Sequence, residues 1–209
     1  MEAVVFDIGG VLELTPPTGW RNRWRERRGV PEEQFDGRLR DLARPGSLGE
    51  ITYEHYVEQV QTRLGLDATA TAAFMDDLWA EYLGTPNTEL IDYFTGLRGR
   101  VRTGILSNSF VGARAREQDR YGFGDRCDVV VYSHEEGLMK PDPAFYAVVC
   151  ERLGVAAEAT VFVDDLAVCV QGAEAVGMTG VLHRDNATTI AAVEAAIDGR
   201  STTDRSGHG

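Results

Sequence analysis

Acidic residues stand directly after two short apolar runs of this chain. Asp7 follows Val4–Phe6, and the adjacent pair Asp164 and Asp165 follows Val161–Val163. Two neighbouring carboxylates repel each other unless a cation lies between them and a nearby acid. Carboxylate oxygens with open positions for water and phosphate suit Mg²⁺. The pattern predicts a magnesium site, although such aspartates can also be turn residues or helix N-caps.

A lysine and a hydroxyl residue occupy positions that could bind a phosphoryl group. Lys140 precedes Pro141 at the start of a predicted helix, and Ser107 and Asn108 end another apolar run. Because Pro141 restricts the backbone, Lys140 could hold a positive charge in a defined place. Ser107 and Asn108 could donate a hydroxyl and backbone N–H groups to phosphoryl oxygens. Alone, these residues could equally be a surface lysine and a strand-end turn.

Apolar runs of the length of strands must position these side chains. They predict strands at Ala3–Asp7, Thr103–Leu106, Val129–Tyr132, Thr160–Val163 and Thr179–Leu182. Helical periodicity lies between them, at Val111–Tyr121, Pro143–Leu153, Ala167–Val176 and Thr188–Ile197. Strands that alternate with helices predict an α/β fold with a doubly wound, Rossmann-like parallel sheet. Ligands of such sheets bind beyond the carboxyl ends of the strands, so the polar residues should meet there.

The stretch 14–86 interrupts this alternation and contains no convincing strand. Periodicity predicts helices at Trp20–Arg28, Glu32–Leu42, Tyr53–Leu64 and Ala70–Tyr82, with glycine and proline between them. We interpret residues 14–86 as a helical cap domain and residues 1–13 and 87–198 as the α/β core. The Ser/Thr/Gly/Asp-rich tail, 199–209, is predicted to be disordered.

The helix predicted at Trp20–Arg28 is rich in arginine, which is unusual in this acidic chain. Trp20 and Trp24 share one face of it. We expect the tryptophans to pack into the cap and most of the arginines to face solvent. One arginine could instead turn toward the cleft and bind an anionic group of the substrate.

Composition narrows the classes of partner. The chain has 209 residues and a formal net charge of −12, which disfavours nucleic acid and anionic membrane surfaces as general partners. Three scattered cysteines argue against a disulfide framework and against a zinc site. No signal peptide or membrane span is readable, so we expect a cytoplasmic protein.

Taken in order, these segments resemble the four motifs of the haloacid dehalogenase (HAD) superfamily. The first motif is similar to Phe6–Leu12, the second to Leu106–Asn108, the third to Gly137–Asp142 and the fourth to Phe162–Asp165. Their order and spacing agree along nearly the whole chain. The helical stretch resembles the small cap found in one large branch of the superfamily.

The resemblance implies a Mg²⁺-dependent phosphatase acting on a small phosphorylated metabolite. Asp7 would be the catalytic nucleophile and would form an aspartyl-phosphate that water then hydrolyses. Lys140 would act with it. The transferring phosphoryl group would be bound by Ser107, Asn108 and Lys140.

The resemblance also implies the ligands of the metal. Mg²⁺ would be held by the Asp7 carboxylate, by the backbone carbonyl of Gly9, and by Asp164 or Asp165. Together with Lys140, the ion would neutralise charge on the phosphoryl oxygens.

Gly9 departs from the pattern of the phosphatases that the chain resembles. Most of them carry an aspartate there, which protonates the leaving group and later activates water. A positioned acid/base group contributes roughly a hundred- to ten-thousandfold in rate. Glu13, Thr15 and Glu135 are candidates for a substitute.

Three functions therefore stay open. The first is a phosphatase that uses a substitute acid, a substrate group or a good leaving group. The second is a binding or regulatory protein that keeps the fold and has lost most turnover. The third is a dehalogenase; such relatives carry a bulky aromatic residue in place of Gly9 and need no metal, so the paired Asp164 and Asp165 fit the magnesium enzyme better.

Overall fold

The structure is a computed structural model that describes residues 1–29, 31, 35 and 37–199. The tail predicted to be disordered lies outside these residues except for Gly199. Part of the helix predicted at Glu32–Leu42 also lies outside them.

In chain order, the strands of the described residues are β1 (Ala3–Phe6), β2 (Glu13–Leu14), β3 (Thr85–Pro86), β4 (Arg102–Ser107), β5 (Val129–Tyr132), β6 (Thr160–Asp164) and β7 (Thr179–Leu182). Five of these strands form the central parallel sheet, in the order β5-β4-β1-β6-β7. The predicted parallel α/β sheet is confirmed, with each predicted strand found within one residue of its expected ends.

Helices follow the strands along the chain. They are α1 (Trp20–Arg28), α2 (Arg40–Ser47), α3 (Tyr53–Leu64), α4 (Ala68–Leu83), α5 (Thr88–Gly96), α6 (Ala113–Tyr121), α7 (Phe123–Arg126), α8 (Ser133–Glu136), α9 (Pro143–Leu153), α10 (Ala167–Ala175) and α11 (Asn186–Ile197), with a short 3₁₀ turn at Ala157–Ala159. Along the described residues, none of these helices is both long and apolar enough to cross a membrane.

Strand β1 lies at the centre of the sheet and is buried on both faces. Val4 and Phe6 belong to one hydrophobic cluster, and Ala3 and Val5 belong to a second cluster on the other face. Side chains of a strand point alternately to its two faces, so a doubly covered strand needs an unbroken apolar run. This requirement explains why β1 could be recognised in the sequence.

A two-stranded antiparallel ribbon, missed in the sequence, joins the sheet to the helical stretch. Glu13 pairs with Pro86 and Leu14 with Thr85, so β2 carries the chain out of the core and β3 brings it back. The interpretation of 14–86 as free of strands was therefore wrong at both ends. Two-residue strands are too short to show an alternating pattern, and only the pairing of distant segments creates them.

Helix α2 also differs from the prediction, which ended a helix at Leu42 and placed the following proline and glycine, Pro45 and Gly46, outside it. The helix continues through both residues to Ser47. A Cβ atom at position 46 would lie only 2.1 Å from the Phe110 ring, and the Gly46 carbonyl accepts a hydrogen bond from the Val111 N–H. Packing against this core loop overrides the local helix-breaking tendency.

The helices between β2 and β3 share an aromatic centre around Phe74, which is fully buried. The rings of Trp20 and Trp24 lie 4.9 and 5.4 Å from it and meet it edge-on. The packing expected for the two tryptophans is thereby confirmed. We refer to residues 14–86 as the helical insertion; its action as a cap domain stays a prediction.

Candidate active site

Three charged side chains meet at the carboxyl ends of β1 and β6. Lys140 Nζ lies 2.8 Å from Asp7 Oδ1 and 2.6 Å from Asp164 Oδ2. The strands β1 and β6 are direct neighbours in parallel register, which is why their terminal aspartates approach each other. Asp164 is fully buried and Lys140 is 3% exposed, so water screens these charges little.

The loop that carries Lys140 is held in place by Asn108. The Lys140 N–H donates to Asn108 Oδ1 over 2.8 Å, and Asn108 Nδ2 donates to the Lys140 carbonyl over 3.0 Å. Asp142 then caps helix α9 by accepting from the Ala144 N–H. The side chain of Asn108 thus positions Lys140, a contact that sequence patterns did not indicate. The binding of a phosphoryl group by Asn108 itself stays a prediction.

The cluster is short of positive charge. Burial raises the pKa of Asp7 to about 7; the ammonium of Lys140 lowers it and the charge of Asp164 raises it. Burial lowers the pKa of Lys140, but Asp7 and Asp164 outweigh that effect and raise it, so Lys140 stays protonated. One ammonium therefore faces two carboxylates, and a further cation would be stabilised here.

The carboxylates offer a donor set that fits Mg²⁺. Asp7, Asp164 and the exposed Asp165 each present an oxygen, and these atoms lie within 4.8 Å of one another. Two oxygens on opposite sides of Mg²⁺ are separated by about 4.2 Å, so only a small adjustment is needed. The cluster fits Mg²⁺ because its donors are oxygen atoms and because one ammonium alone does not balance its carboxylates. Gly9 stands two residues after Asp7 in the chain, and its carbonyl stays a predicted ligand.

A cavity of about 680 Å³ adjoins this cluster. Its walls come from the sheet edge, including Gly9, Ser107 and Asn108, and from the helical insertion, including Trp20 and Arg21. Ser107 is 3% exposed at the end of β4, and its binding of a phosphoryl group stays a prediction. The cavity therefore lies between the sheet edge and the helical insertion.

The family described as haloacid dehalogenase-like hydrolase matches residues 1–177. The chain belongs to this family. The resemblance seen in the motifs is thereby confirmed, and the protein is a HAD hydrolase with the fold of that family. The order of the motifs along β1, β4 and β6 explains why their residues meet at one edge of the sheet.

Relatives of this HAD hydrolase include a phosphatase. The chain is 30% identical over 190 residues to Phosphatase MT3486 of Mycobacterium tuberculosis (strain CDC 1551 / Oshkosh). This match covers 87% of each of the two chains. It is 26% identical over 210 residues to Acyl-CoA dehydrogenase family member 10 of Mus musculus. That match covers 93% of this chain but only 19% of the mouse protein, so the chain spans about a fifth of that relative.

A solved structure shares the fold of this HAD hydrolase. It is a HAD family enzyme of Bacteroides thetaiotaomicron in complex with magnesium and inorganic phosphate. The TM-score is 0.75 at 20% sequence identity, and the match covers 88% of this chain and 94% of that chain. At this identity the likeness concerns the fold alone.

The candidates for a substitute acid in this HAD hydrolase have different surroundings. Glu135 is bound by the Arg114 guanidinium through two hydrogen bonds of 2.5 and 2.6 Å. Thr15 lines the cavity and is exposed. Glu13 also lines the cavity but is 2% exposed, and its Oε2 has no hydrogen-bond partner among the residues that the structure describes.

A second buried acid on the cavity wall had no signal in the sequence. Glu117 lies on α6 within a run of charged residues, a pattern typical of a solvated helix face. It is 1% exposed and accepts a hydrogen bond from the Tyr132 hydroxyl. Burial raises the pKa of Glu117 to about 7, and burial together with the Glu117 charge raises the pKa of Glu13 to about 9. Only the packing of α6 under the insertion brings these two acids together.

His134 is tied to the same edge of the sheet. Its Nδ1 lies 2.6 Å from the hydroxyl oxygen of Ser109, which lines the cavity. The Ser109 N–H in turn donates to Ser133 Oγ over 2.9 Å. These bonds hold the loop after β4 in place.

The two glycines after Asp7 should differ sharply in their tolerance of a side chain. Gly9 has open space where a Cβ would stand. Gly10 has φ +72°, and a Cβ there would lie 2.3 Å from Asp165 Oδ2. We expect Gly10→Ala to lower the free energy of unfolding by about 1–2 kcal/mol, because Asp165 must move, and to weaken the binding of Mg²⁺ at the predicted site.

Gly9→Ala is the matched control and should change the free energy of unfolding by less than about 0.5 kcal/mol. Urea unfolding with and without Mg²⁺ measures both quantities. Equal effects of the two substitutions would contradict the assigned packing of Asp165 against Gly10.

Proposed function

We propose that this HAD hydrolase is a Mg²⁺-dependent phosphatase that removes the phosphoryl group from a small phosphorylated metabolite. The observation that carries the proposal is the buried Lys140 ammonium between Asp7 and Asp164, beside a cavity of about 680 Å³. This arrangement holds a carboxylate nucleophile next to a site for a dianionic group. The phosphatase among its relatives supports the same reaction class.

In the proposed reaction, Asp7 attacks phosphorus and the leaving group departs, so that an aspartyl-phosphate forms. Asp7 Oδ1 accepts hydrogen bonds from the Ile8 N–H and from Lys140, both at 2.8 Å. These donors orient the carboxylate and leave its Oδ2 for the attack. The Lys140 ammonium reduces the repulsion between the carboxylate and the incoming phosphoryl oxygens.

The remaining predicted residues act on the phosphoryl group and on the metal. Ser107 would donate its hydroxyl to a phosphoryl oxygen, and Asn108 would hold Lys140 while its loop lines the cavity. When bound by Asp7, the Gly9 carbonyl and Asp164 or Asp165, Mg²⁺ supplies neutralisation of charge on the phosphoryl oxygens. Of the two neighbouring aspartates, Asp164 already bonds Lys140 and the Leu166 N–H.

The helical insertion would act as a cap that selects the substrate and excludes water. Trp20, Arg21 and Tyr56 of the insertion line the cavity opposite the sheet edge. An aromatic ring and a guanidinium can recognise the part of a substrate that does not react. Substrate choice would therefore reside in the insertion, and the chemistry in the sheet.

Phosphate release from the purified protein tests the proposal. We expect release from aryl phosphates and from some phosphorylated metabolites with Mg²⁺, and about a hundredfold less with EDTA, because loss of several kcal/mol of charge stabilisation slows the reaction. Absence of release from every substrate would favour a binding or regulatory protein. Halide release from 2-haloacids without metal would favour the dehalogenase.

A further inference from the structure

Glu13 occupies a defined position beside Gly9. Its N–H donates to the Ile8 carbonyl over 2.9 Å, and its carbonyl accepts from the Gly10 N–H over 2.7 Å. These bonds close the turn after Asp7 and pair the backbone of Glu13 with that of Gly9. Pairing with Pro86 in the ribbon holds Glu13 from its other side. The backbone of Glu13 is thus fixed beside Gly9, the residue that has no side chain.

The carboxyl group of Glu13 is costly for the fold. Glu13 is 2% exposed, and its buried Oε2 finds no hydrogen-bond donor among the described residues. A buried polar atom without a partner costs about 1–3 kcal/mol. An apolar residue would fill this place in the ribbon at lower cost. An unpartnered carboxyl that lines a cavity is the arrangement expected for a group that meets a ligand.

Other acids on the cavity wall already have partners. Glu81 accepts hydrogen bonds from the N–H and the hydroxyl of Thr18. Glu117 accepts one from the Tyr132 hydroxyl. Among the acids on the described part of the cavity wall, Glu13 is therefore the one with a buried carboxyl oxygen that lacks a hydrogen-bond partner.

The proposed reaction needs such a group. An alkoxide is a poor leaving group unless it receives a proton as the bond to phosphorus breaks. Asp7 is the attacking group, Lys140 is engaged by two carboxylates, and Gly9 has no side chain. None of these three residues can supply the proton without giving up its own role.

We propose that Glu13 is the catalytic acid and base of this site, an inference that rests on the phosphatase function proposed above. As Asp7 attacks phosphorus and the bond to the leaving oxygen breaks, the Glu13 proton passes to that oxygen and the alcohol departs. Glu13 is then a carboxylate. It takes a proton from the water that attacks the aspartyl-phosphate; the bond from phosphorus to Asp7 breaks, inorganic phosphate leaves, and both carboxyl groups return to their first state.

Glu13→Gln tests this role, since the amide has the same size, carries no charge and transfers no proton. On an alkyl phosphate we expect kcat to fall by about 10²–10⁴-fold with KM little changed. On p-nitrophenyl phosphate the leaving group needs no proton. The variant should therefore release a burst of one nitrophenolate per active site at nearly the wild-type rate and then turn over slowly, because hydrolysis of the aspartyl-phosphate lacks its base.

Glu81→Gln is the matched control, because Glu81 is another acid on the same cavity wall and glutamine can still accept from the N–H and the hydroxyl of Thr18. We expect less than about a fivefold change with either substrate. Adding Gly9→Asp to Glu13→Gln should raise kcat on the alkyl phosphate at least about tenfold above that of Glu13→Gln alone, since position 9 has room for a side chain.

Equal losses of Glu13→Gln on both substrates, without a burst, would overturn the role of Glu13 and indicate a structural effect. A double variant no more active than Glu13→Gln would also count against it. If the wild-type protein releases phosphate from neither substrate, the phosphatase function itself fails. The wild-type rate therefore separates that failure from a failure of the Glu13 assignment alone.

Discussion

Asp7→Asn is expected to abolish phosphate release, with a loss of at least about 10³-fold in kcat, because an amide does not form the aspartyl-phosphate. The fold should persist. The amide oxygen can still accept from the Ile8 N–H and from Lys140, which lie 2.8 Å from Asp7 Oδ1. Burial raises the pKa of Asp7, so a neutral group at this place is not penalised by desolvation. Phosphate release and thermal unfolding measure the two outcomes.

Asp67→Asn makes the same chemical change away from the site. Asp67 caps α4 by accepting from the Ala70 N–H, and asparagine is an equally good N-cap. This variant should keep the wild-type rate. Turnover that persists in Asp7→Asn at more than a tenth of the wild-type rate would remove Asp7 from the role of nucleophile.

Lys140→Met should remove activity and also destabilise the protein. Lys140 is the only lysine in the 209-residue chain and lies buried between two carboxylates. Removal of one partner from a buried ionic cluster leaves uncompensated charge and costs about 3–5 kcal/mol. We expect a corresponding fall in the free energy of unfolding, measured by urea denaturation, and loss of phosphate release in the same preparation.

The pH dependence of this loss has a defined sign. Burial raises the pKa of Asp7, and without the ammonium that pKa must rise further. A carboxyl with a raised pKa in the folded state contributes stability that is lost as pH rises through that pKa. The stability deficit of Lys140→Met should therefore be smaller at about pH 5 than at about pH 8. A deficit that does not change with pH would show that lost packing, not charge, is the cause.

Lys140→Arg provides the matched control for charge. The guanidinium keeps the positive charge but is a planar fork that differs in shape from a compact ammonium. We expect it to restore part of the stability at about pH 8 while phosphate release stays low. The comparison of the methionine and arginine variants separates the electrostatic role of Lys140 from its placement in the site.

Most of the fold and of the candidate site that could be predicted from the sequence came from patterns among residues close together in the chain. The strands β1 and β6 are buried on both faces, so their apolar runs are continuous and stand out in the sequence. The aspartates that follow them must reach the same sheet edge because parallel strands end there together. The fold class, the helical insertion and the placement of Asp7 and Asp164 follow from these local patterns.

Contacts between distant segments decided the rest. The ribbon of Glu13 with Pro86 joins residues more than seventy positions apart, and the bonds between Asn108 and Lys140 join two separate loops. The continuation of α2 through Pro45 depends on Phe110 in the core. No periodicity in the sequence records such pairings, because they exist only after the chain has packed.

The clearest case is the choice among the candidates for a substitute acid. By sequence, Glu13, Thr15 and Glu135 were equivalent possibilities. Residue type is a local property, whereas burial and the supply of hydrogen-bond partners depend on every element packed around a side chain. The tertiary structure alone binds Glu135 to Arg114 and, among the described residues, leaves a buried oxygen of Glu13 without a partner beside Gly9.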